Sequence, residues 1–185
     1  MSQADLLRHP LHTGHLTVGA LRRHHDRPVL FLGDTTLTGG QLAMRISQYI
    51  AAFEALGAGT GATVGLLSLN RPEVLMIIGA GQTQGYRRTA LHPLGSLDDH
   101  AYVLTDAGAT SLIIDPTPMF VQRALGLLDT VPSLTRVLTL GPVPDELADV
   151  GVDLIAAAAS YQPSTLVAAD LPADHIGGLT YTGGT

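Results

Sequence analysis

The 185-residue sequence predicts an α/β fold in three layers, a mostly parallel sheet flanked by helices, with a small β-hairpin on its N-terminal side. Three observations lead there. Strand candidates begin at Val64, Tyr86, Ser111 and Arg136, with a capped helical segment in each gap, which is the spacing of βαβ units. Hydrophobic residues make up 45% of the chain and charged ones 14%, enough to cover both faces of such a sheet. Before the series, Val29–Leu32, a turn at Gly33-Asp34 and Thr35–Thr38 read as a hairpin.

Residues 1–16 hold Pro10 and Gly14 and are expected to be irregular and flexible. His9, His12 and His15 are spaced as ligands on one helical face would be, and His24 and His25 follow. Pro10 and Gly14 oppose a helix, and no cysteine or carboxylate completes the set, so a solvated terminus is the preferred reading over a metal site. Thr17 can cap a short helix running through Leu21 toward His24, which Arg27-Pro28 breaks.

Thr38 and Gln41 form a capping box at the start of the clearest helix. Leu42, Ile46, Tyr49, Ile50 and Phe53 make its apolar stripe, and Gly57 stands where the chain should turn out of it. Val64–Leu69 is the first strand of the sheet. Asn70 is expected to cap the next helix, with Pro72 in the first turn and an end near Gly85. Tyr86–Leu91 is the second strand and stops at His92-Pro93. Ser96 caps the following helix, Asp98 and Asp99 lie in its first turn, and Gly108 ends it. Ser111–Ile114 is the third strand, Thr117-Pro118 opens another helix, and Arg136–Leu140 is the fourth strand. Val152–Ala159 reads as a strand passing into a short helix, Gln162–Ala173 as a linker, and Ile176–Thr182 as the last strand. The expected core includes Ile46, Ile50, Phe53, Leu75, Ile78, Val103 and Leu112.

Tyr86-Arg87-Arg88-Thr89 is too polar for a central parallel strand. The simpler reading places both arginines at the strand's start, with their heads in solvent. The sharper one gives them an acidic partner or a ligand headgroup.

Several function classes are excluded or disfavoured. The net charge of −6 argues against nucleic acid, since there is no basic stripe to neutralise phosphates. The absence of cysteine rules out disulfides and thiol catalysis and fits the cytoplasm. The longest apolar run, Val74–Ala80, falls far short of the ~20 residues a bilayer needs, and there is no apolar leader segment at the N-terminus. Gly57-Ala58-Gly59-Thr60-Gly61-Ala62 matches a dinucleotide fingerprint in letters only. It follows a helix and precedes a strand, the reverse of the required context, so it reads as a helix stop and loop. With no lysine in the chain there is no Walker A motif, and there is no nucleophile elbow. Asp98, Asp99 and His100 could suggest acid–base chemistry, but an acid-rich first helical turn is the commoner explanation.

The chain closes on Thr182-Gly183-Gly184-Thr185 directly after an apolar run. Successive backbone N–H groups in such a turn form a concavity for phosphate, and the hydroxyls add donors.

Four stretches together resemble the N-terminal part of the adenylate-forming superfamily, in particular its fatty-acid–CoA ligases (acyl-CoA synthetases). They are LGDTTLTGGQLAMRISQYIAAFEALGAGTGATVGLL, LNRPEVL, LHPLGSLDDHAYVLTDAGATSLIID and LTYTGGT. The last is similar to the start of the family's phosphate loop, usually written T-S-G-T-T-G-x-P-K, with Gly183 in place of the usual serine. The likeness runs from Thr17 onward. It implies that residues 17–185 are the first part of a large N-terminal domain, cut inside the phosphate loop, and it assigns Thr182, Gly183, Gly184 and Thr185 to the β- and γ-phosphates. By the same resemblance the intact enzyme uses ATP and Mg2+, joins a fatty acid or other carboxylic acid to CoA, and is cytoplasmic or peripheral at the membrane. This part alone is expected to be inactive, without catalytic or metal-binding residues, and prone to self-association. The absence of lysine adds the codon bias of a GC-rich genome, as in actinobacteria. The competing readings are a self-contained α/β domain that binds a ligand or partner, and another adenylating enzyme, amino-acid-activating or luciferase-like.

Overall fold

The computed structural model describes residues 12–172 and 174–182. Its element order is α1 (Thr13–Arg23), β1 (Pro28–Leu32), β2 (Thr35–Thr38), α2 (Gly39–Ala55), β3 (Thr63–Leu67), α3 (Pro72–Gln84), β4 (Arg87–Ala90), α4 (Leu97–Asp106), β5 (Ser111–Ile114), α5 (Pro118–Thr130), β6 (Arg136–Thr139), a 3-10 turn (Asp145–Leu147), β7 (Gly151–Asp153), α6 (Leu154–Ala159) and β8 (Gly178–Leu179). β1 and β2 pair antiparallel as the expected hairpin. The other six strands form one sheet in the order β7-β6-β5-β3-β4-β8, with every neighbouring pair parallel.

The sheet separates two apolar layers. On one face Val18 of α1, Ile46 and Phe53 of α2, Ile77 of α3 and Leu154 of α6 pack with Val64, Tyr86 and Leu138 of the sheet side. On the other, Leu104 of α4 and Phe120 and Leu127 of α5 pack with Leu67, Leu112, Ile114 and Val137. All five residues of β3 are buried, as a central parallel strand requires. Tyr86 is fully buried, its ring 4.7 Å from that of Phe53, and its hydroxyl donates to the Ile77 carbonyl.

Local signals set most boundaries. The Thr38–Gln41 capping box forms reciprocally, and Gly57 takes a φ of 66° after α2. A second box joins Ser96 and Asp99 at the head of α4, and Gly108 turns out of that helix at φ 62°.

Three expectations are corrected. The first helix begins at Thr13, four residues before Thr17, so residues 13–16 are not irregular, and Gly14 sits inside its first turn. The cap is the imidazole of His12, whose Nδ1 accepts from the Gly14 N–H while Nε2 donates to the Ala169 carbonyl at 2.8 Å. Gly14 is suited to the place because a Cβ there would lie 2.3 Å from the Gln82 carbonyl oxygen. His9 lies outside the described residues. Secondly, Asn70 does not cap α3. Pro72 takes the first helical position, which makes Arg71 the cap residue, and Arg71 makes no side-chain cap bond. Thirdly, the core face of α3 is displaced. Leu75 is 45% exposed, and Met76, Ile77 and Ala80 are buried in its place. Ile50, Ile78 and Val103 are only partly buried, whereas Ile46, Phe53 and Leu112 are core residues as expected.

Arg87 and Arg88 are both half-buried at the start of β4. β4 lies one strand from the edge, and its outer neighbour β8 has only two residues, so the strand is not a central one and tolerates its polar sequence.

Candidate active site

β4 and β8 run parallel, Arg88 opposite Gly178 and Thr89 opposite Leu179, so their carboxyl ends open on the same side of the molecule. Ligands in open α/β sheets bind outside the carboxyl ends of the strands. A cleft of about 380 Å³ lies there, lined by Leu91, His92 and Gly95 beyond β4, Asp99 and Tyr102 of α4, and Tyr181 and Thr182 beyond β8. Of the four predicted phosphate-loop residues the structure places Thr182, exposed at the rim of this cleft. Gly183, Gly184 and Thr185 lie outside the described residues.

The chain leaving β8 is anchored to α4. The Tyr181 hydroxyl donates to Asp106 Oδ2 at 2.5 Å, and its ring meets Tyr102 edge to face at 6.4 Å. Tyr102 and Asp106 are four residues apart on one helical face, so both reach the same neighbour. The hydrogen bond to the Asp106 carboxylate pushes the Tyr181 phenol up to about 12, so it stays a donor. Tyr181 thus ties the approach to Thr182 down by one bond and one ring contact.

The opposite wall is the turn His92–Gly95. The Gly95 N–H donates to the His92 carbonyl at 2.9 Å, and the Leu94 N–H to His92 Nδ1 at 3.2 Å. Beneath the turn, His100 is 2% exposed and bonds to the His92 carbonyl at 2.8 Å and to Arg123 at 2.9 Å. Burial, together with the Arg123 charge, pulls the His100 imidazole below its ordinary range. Asp99 is the helix-capping partner of Ser96, whose hydrogen bonds hold its carboxyl low. Asp98, Asp99 and His100 therefore divide into a helix start and a buried strut, not an acid–base pair.

The chain runs outward from β3 to β4 and then crosses back to β5, so the sheet's switch point lies between β3 and β5. Arg71 fills the space there. Its Nη1 donates to Asp115 Oδ1 at 3.1 Å and to the Leu140 carbonyl at 2.8 Å, and its Nε donates to Glu73 at 3.1 Å. Asp115, 4% exposed, also accepts from the Ser68 hydroxyl and the Leu69 N–H. Burial opposes the charge on Arg71, but the bonds to Glu73 and Asp115 outweigh it and hold the guanidinium above its usual value. Sequence reading missed Arg71, Asp115, Arg123 and Asp106, since each acts through a partner distant in the chain, and it took His92 only as the end of a strand. The one usable hint was the i, i+4 pair Tyr102 and Asp106 beside a histidine at 100.

Thr182, beyond the outer strand at the rim of the cleft, can offer its N–H and hydroxyl to an anion. The chain belongs to the AMP-binding enzyme family, whose pattern matches residues 19–185. It is 76% identical over 181 residues to the medium/long-chain-fatty-acid–CoA ligase FadD8 of Mycobacterium tuberculosis, a match covering 98% of this chain and 32% of that protein. The chain thus spans about a third of the length of the curated relative it matches. Among solved structures, the anthranilate CoA ligase AuaEII in complex with anthranoyl-AMP superposes with a TM-score of 0.81 at 22% identity, over 99% of this chain and 33% of that one. The coronafacic acid ligase of Pectobacterium brasiliense gives 0.78 at 13% identity, over 92% and 33%. These two likenesses establish the fold.

Proposed function

We propose that the protein carrying these residues is an ATP-dependent fatty-acid–CoA ligase. The carboxylate of the acid attacks the α-phosphate of ATP, releasing pyrophosphate and leaving an acyl-adenylate. The CoA thiol then attacks the acyl carbon, AMP departs, and the thioester forms. The observation that carries this reading is the 76% identity to a fatty-acid–CoA ligase across 98% of the chain.

Within this scheme Thr182, Gly183, Gly184 and Thr185 close over the β- and γ-phosphates. Their contribution is positioning and charge stabilisation by N–H and hydroxyl donors, not covalent chemistry. Tyr181, held by Asp106 and Tyr102, sets the direction in which that loop leaves the sheet. Among the described residues no group of three or more His, Cys, Asp or Glu could hold a metal ion. Mg2+ at such sites keeps several waters and takes one or two carboxylates plus the substrate's phosphates, and no step is assigned to it in this part of the protein. No described helix is long and apolar enough to cross a membrane.

The test is an assay of the full-length protein with ATP, CoA and saturated fatty acids of graded length. Pyrophosphate release that depends on the acid, with acyl-CoA detected by mass, is the expected result. Release with amino acids or aromatic acids but no fatty acid would move the protein to another adenylating class. No release with any carboxylic acid would sink the reading.

A further inference from the structure

We infer that His100 and Arg123 are positioning residues that pin the His92–Gly95 wall of the cleft, and that the wall is held only while His100 is neutral. The inference rests on the ligase reading only for which reaction the cleft serves; the geometry belongs to the chain itself.

One Arg123 nitrogen, Nη1, donates both to the Gly95 carbonyl at 2.5 Å and to His100 Nδ1 at 2.9 Å. A guanidinium has only donors, so His100 Nδ1 must be bare. The ring proton then sits on Nε2, which donates to the His92 carbonyl at 2.8 Å. The first and last carbonyls of the turn are thus both held from beneath by a single imidazole–guanidinium pair. The turn lies directly on the ring: a Cβ on Gly95 would stand 2.4 Å from His100 Nε2, a distance no side chain could accept without displacing the pair. The tip of the turn, Leu94, is 82% exposed, so little else packs it in place.

The charged or titratable groups that face His100 are Arg123 from α5, Asp99 on its own helix and His92 of the turn. Asp99 favours a charge on His100, but its carboxylate is engaged by Ser96. Arg123 opposes it at hydrogen-bond distance. Protonating Nδ1 would set two donors face to face beside a permanent cation. The Arg123 bond would be lost, and its hold on the Gly95 carbonyl would loosen. Free histidine titrates near 6.5, and His100 is held below that by burial and by Arg123. The released turn therefore binds the proton more readily than the pinned one. The hold is complete above about pH 6.5 and declines as pH falls below it, by up to about tenfold per pH unit until the pinned form itself titrates.

Hydrogen exchange at the Gly95 amide reads this directly, as a protection factor corrected for intrinsic exchange. Gly95 is chosen because the Leu94 N–H bonds to the His92 ring and would report that histidine instead. The chain should keep its Gly95 protection from pH 8 to 6.5 and lose it progressively toward pH 5. His100→Gln supplies a donor and an acceptor without a titratable proton, and its protection should be flat across the range. Arg123→Met should lower protection at every pH. Nitrogen-15 shifts of the imidazoles in the unsubstituted chain give a second readout that needs no variant. They should show the Nε2–H tautomer at His100 and a midpoint below 6.5. An Nδ1–H tautomer, a wild-type protection independent of pH, or a His100→Gln profile that follows the wild type would each overturn the inference. None of these readouts needs ATP, CoA or turnover, so they fail or succeed separately from the ligase reading.

Discussion

Asp115 shows how a single residue holds the sheet at the point where the order of its strands reverses. It is almost fully buried and satisfies the Ser68 hydroxyl, the Leu69 N–H and Arg71 at once. Asp115→Ala removes one of the two carboxylates facing the half-buried Arg71 guanidinium, whose bonds to Glu73 and the Leu140 carbonyl remain, and leaves the Ser68 hydroxyl and the Leu69 N–H without this acceptor. Breaking such a pair from one side should cost about 3 kcal/mol, measured as a shift in the urea midpoint at constant slope. A loss under about 1 kcal/mol would mean that Arg71 re-solvates freely, as surface pairs do. None of this was legible in the sequence, because Asp115 and Arg71 stand 44 residues apart. What was legible at this scale was local. The Thr38–Gln41 and Ser96–Asp99 boxes span three residues each, and both form. The His12 cap was missed because an imidazole is not among the side chains that ordinarily cap a helix. His100 was noticed for its acidic neighbours, yet its partners, Arg123 and the His92 carbonyl, lie outside its own helix.

At the scale of elements, strands and helices were legible in kind and order, and Ser111–Ile114 matches residue for residue. The phase of α3 was not. Val74–Ala80 is apolar throughout, so periodicity carries no sign of which side faces the sheet. The fold places Met76, Ile77 and Ala80 inside and leaves Leu75 at the surface, beyond the reach of local pattern. A paired substitution turns this into a measurement. Leu66→Ala removes a buried side chain of the central strand and should cost about 2–5 kcal/mol. Leu75→Ala, on the exposed side of α3, should stay within about 0.5 kcal/mol. Chemical denaturation of the two variants decides the phase, and equal losses would return Leu75 to the core. β8 was also read too long: Ile176–Thr182 was the expected strand, but only Gly178 and Leu179 pair with β4. Its flanks are glycine and polar residues, which weaken a ladder that has a neighbour on one side alone.

For the molecule as a whole, the outer edge of β8 is unpaired among the described strands, and Leu94, Tyr102, Val167 and Ile176 are each more than half exposed. Open edges and apolar surface find partners, so light scattering after gel filtration should show association of the 185-residue chain that grows with concentration. A clean monomer at high concentration would contradict this. The same chain should not bind ATP with useful affinity. Fixing each residue of Thr182–Thr185 costs on the order of 1–2 kcal/mol of backbone entropy. Each N–H or hydroxyl donor returns about 1.5–3 kcal/mol to a charged phosphate once fixed, but association also costs about 4–15 kcal/mol in lost translational and rotational freedom, so little is left. The chain contains no lysine to add a cation, and its net charge of −6 repels a polyanion. Tyr181 orders the approach through Asp106 and Tyr102, but it stops one residue short of the loop. The chain covers 32% of the length of the relative it matches. Titration calorimetry with ATP and magnesium should therefore give a dissociation constant weaker than about 1 mM, equivalent to less than about 4.1 kcal/mol of binding. A micromolar constant would show that these 185 residues carry a complete nucleotide site, and the proposed assignment of Thr182–Thr185 as one side of a larger loop would then be wrong.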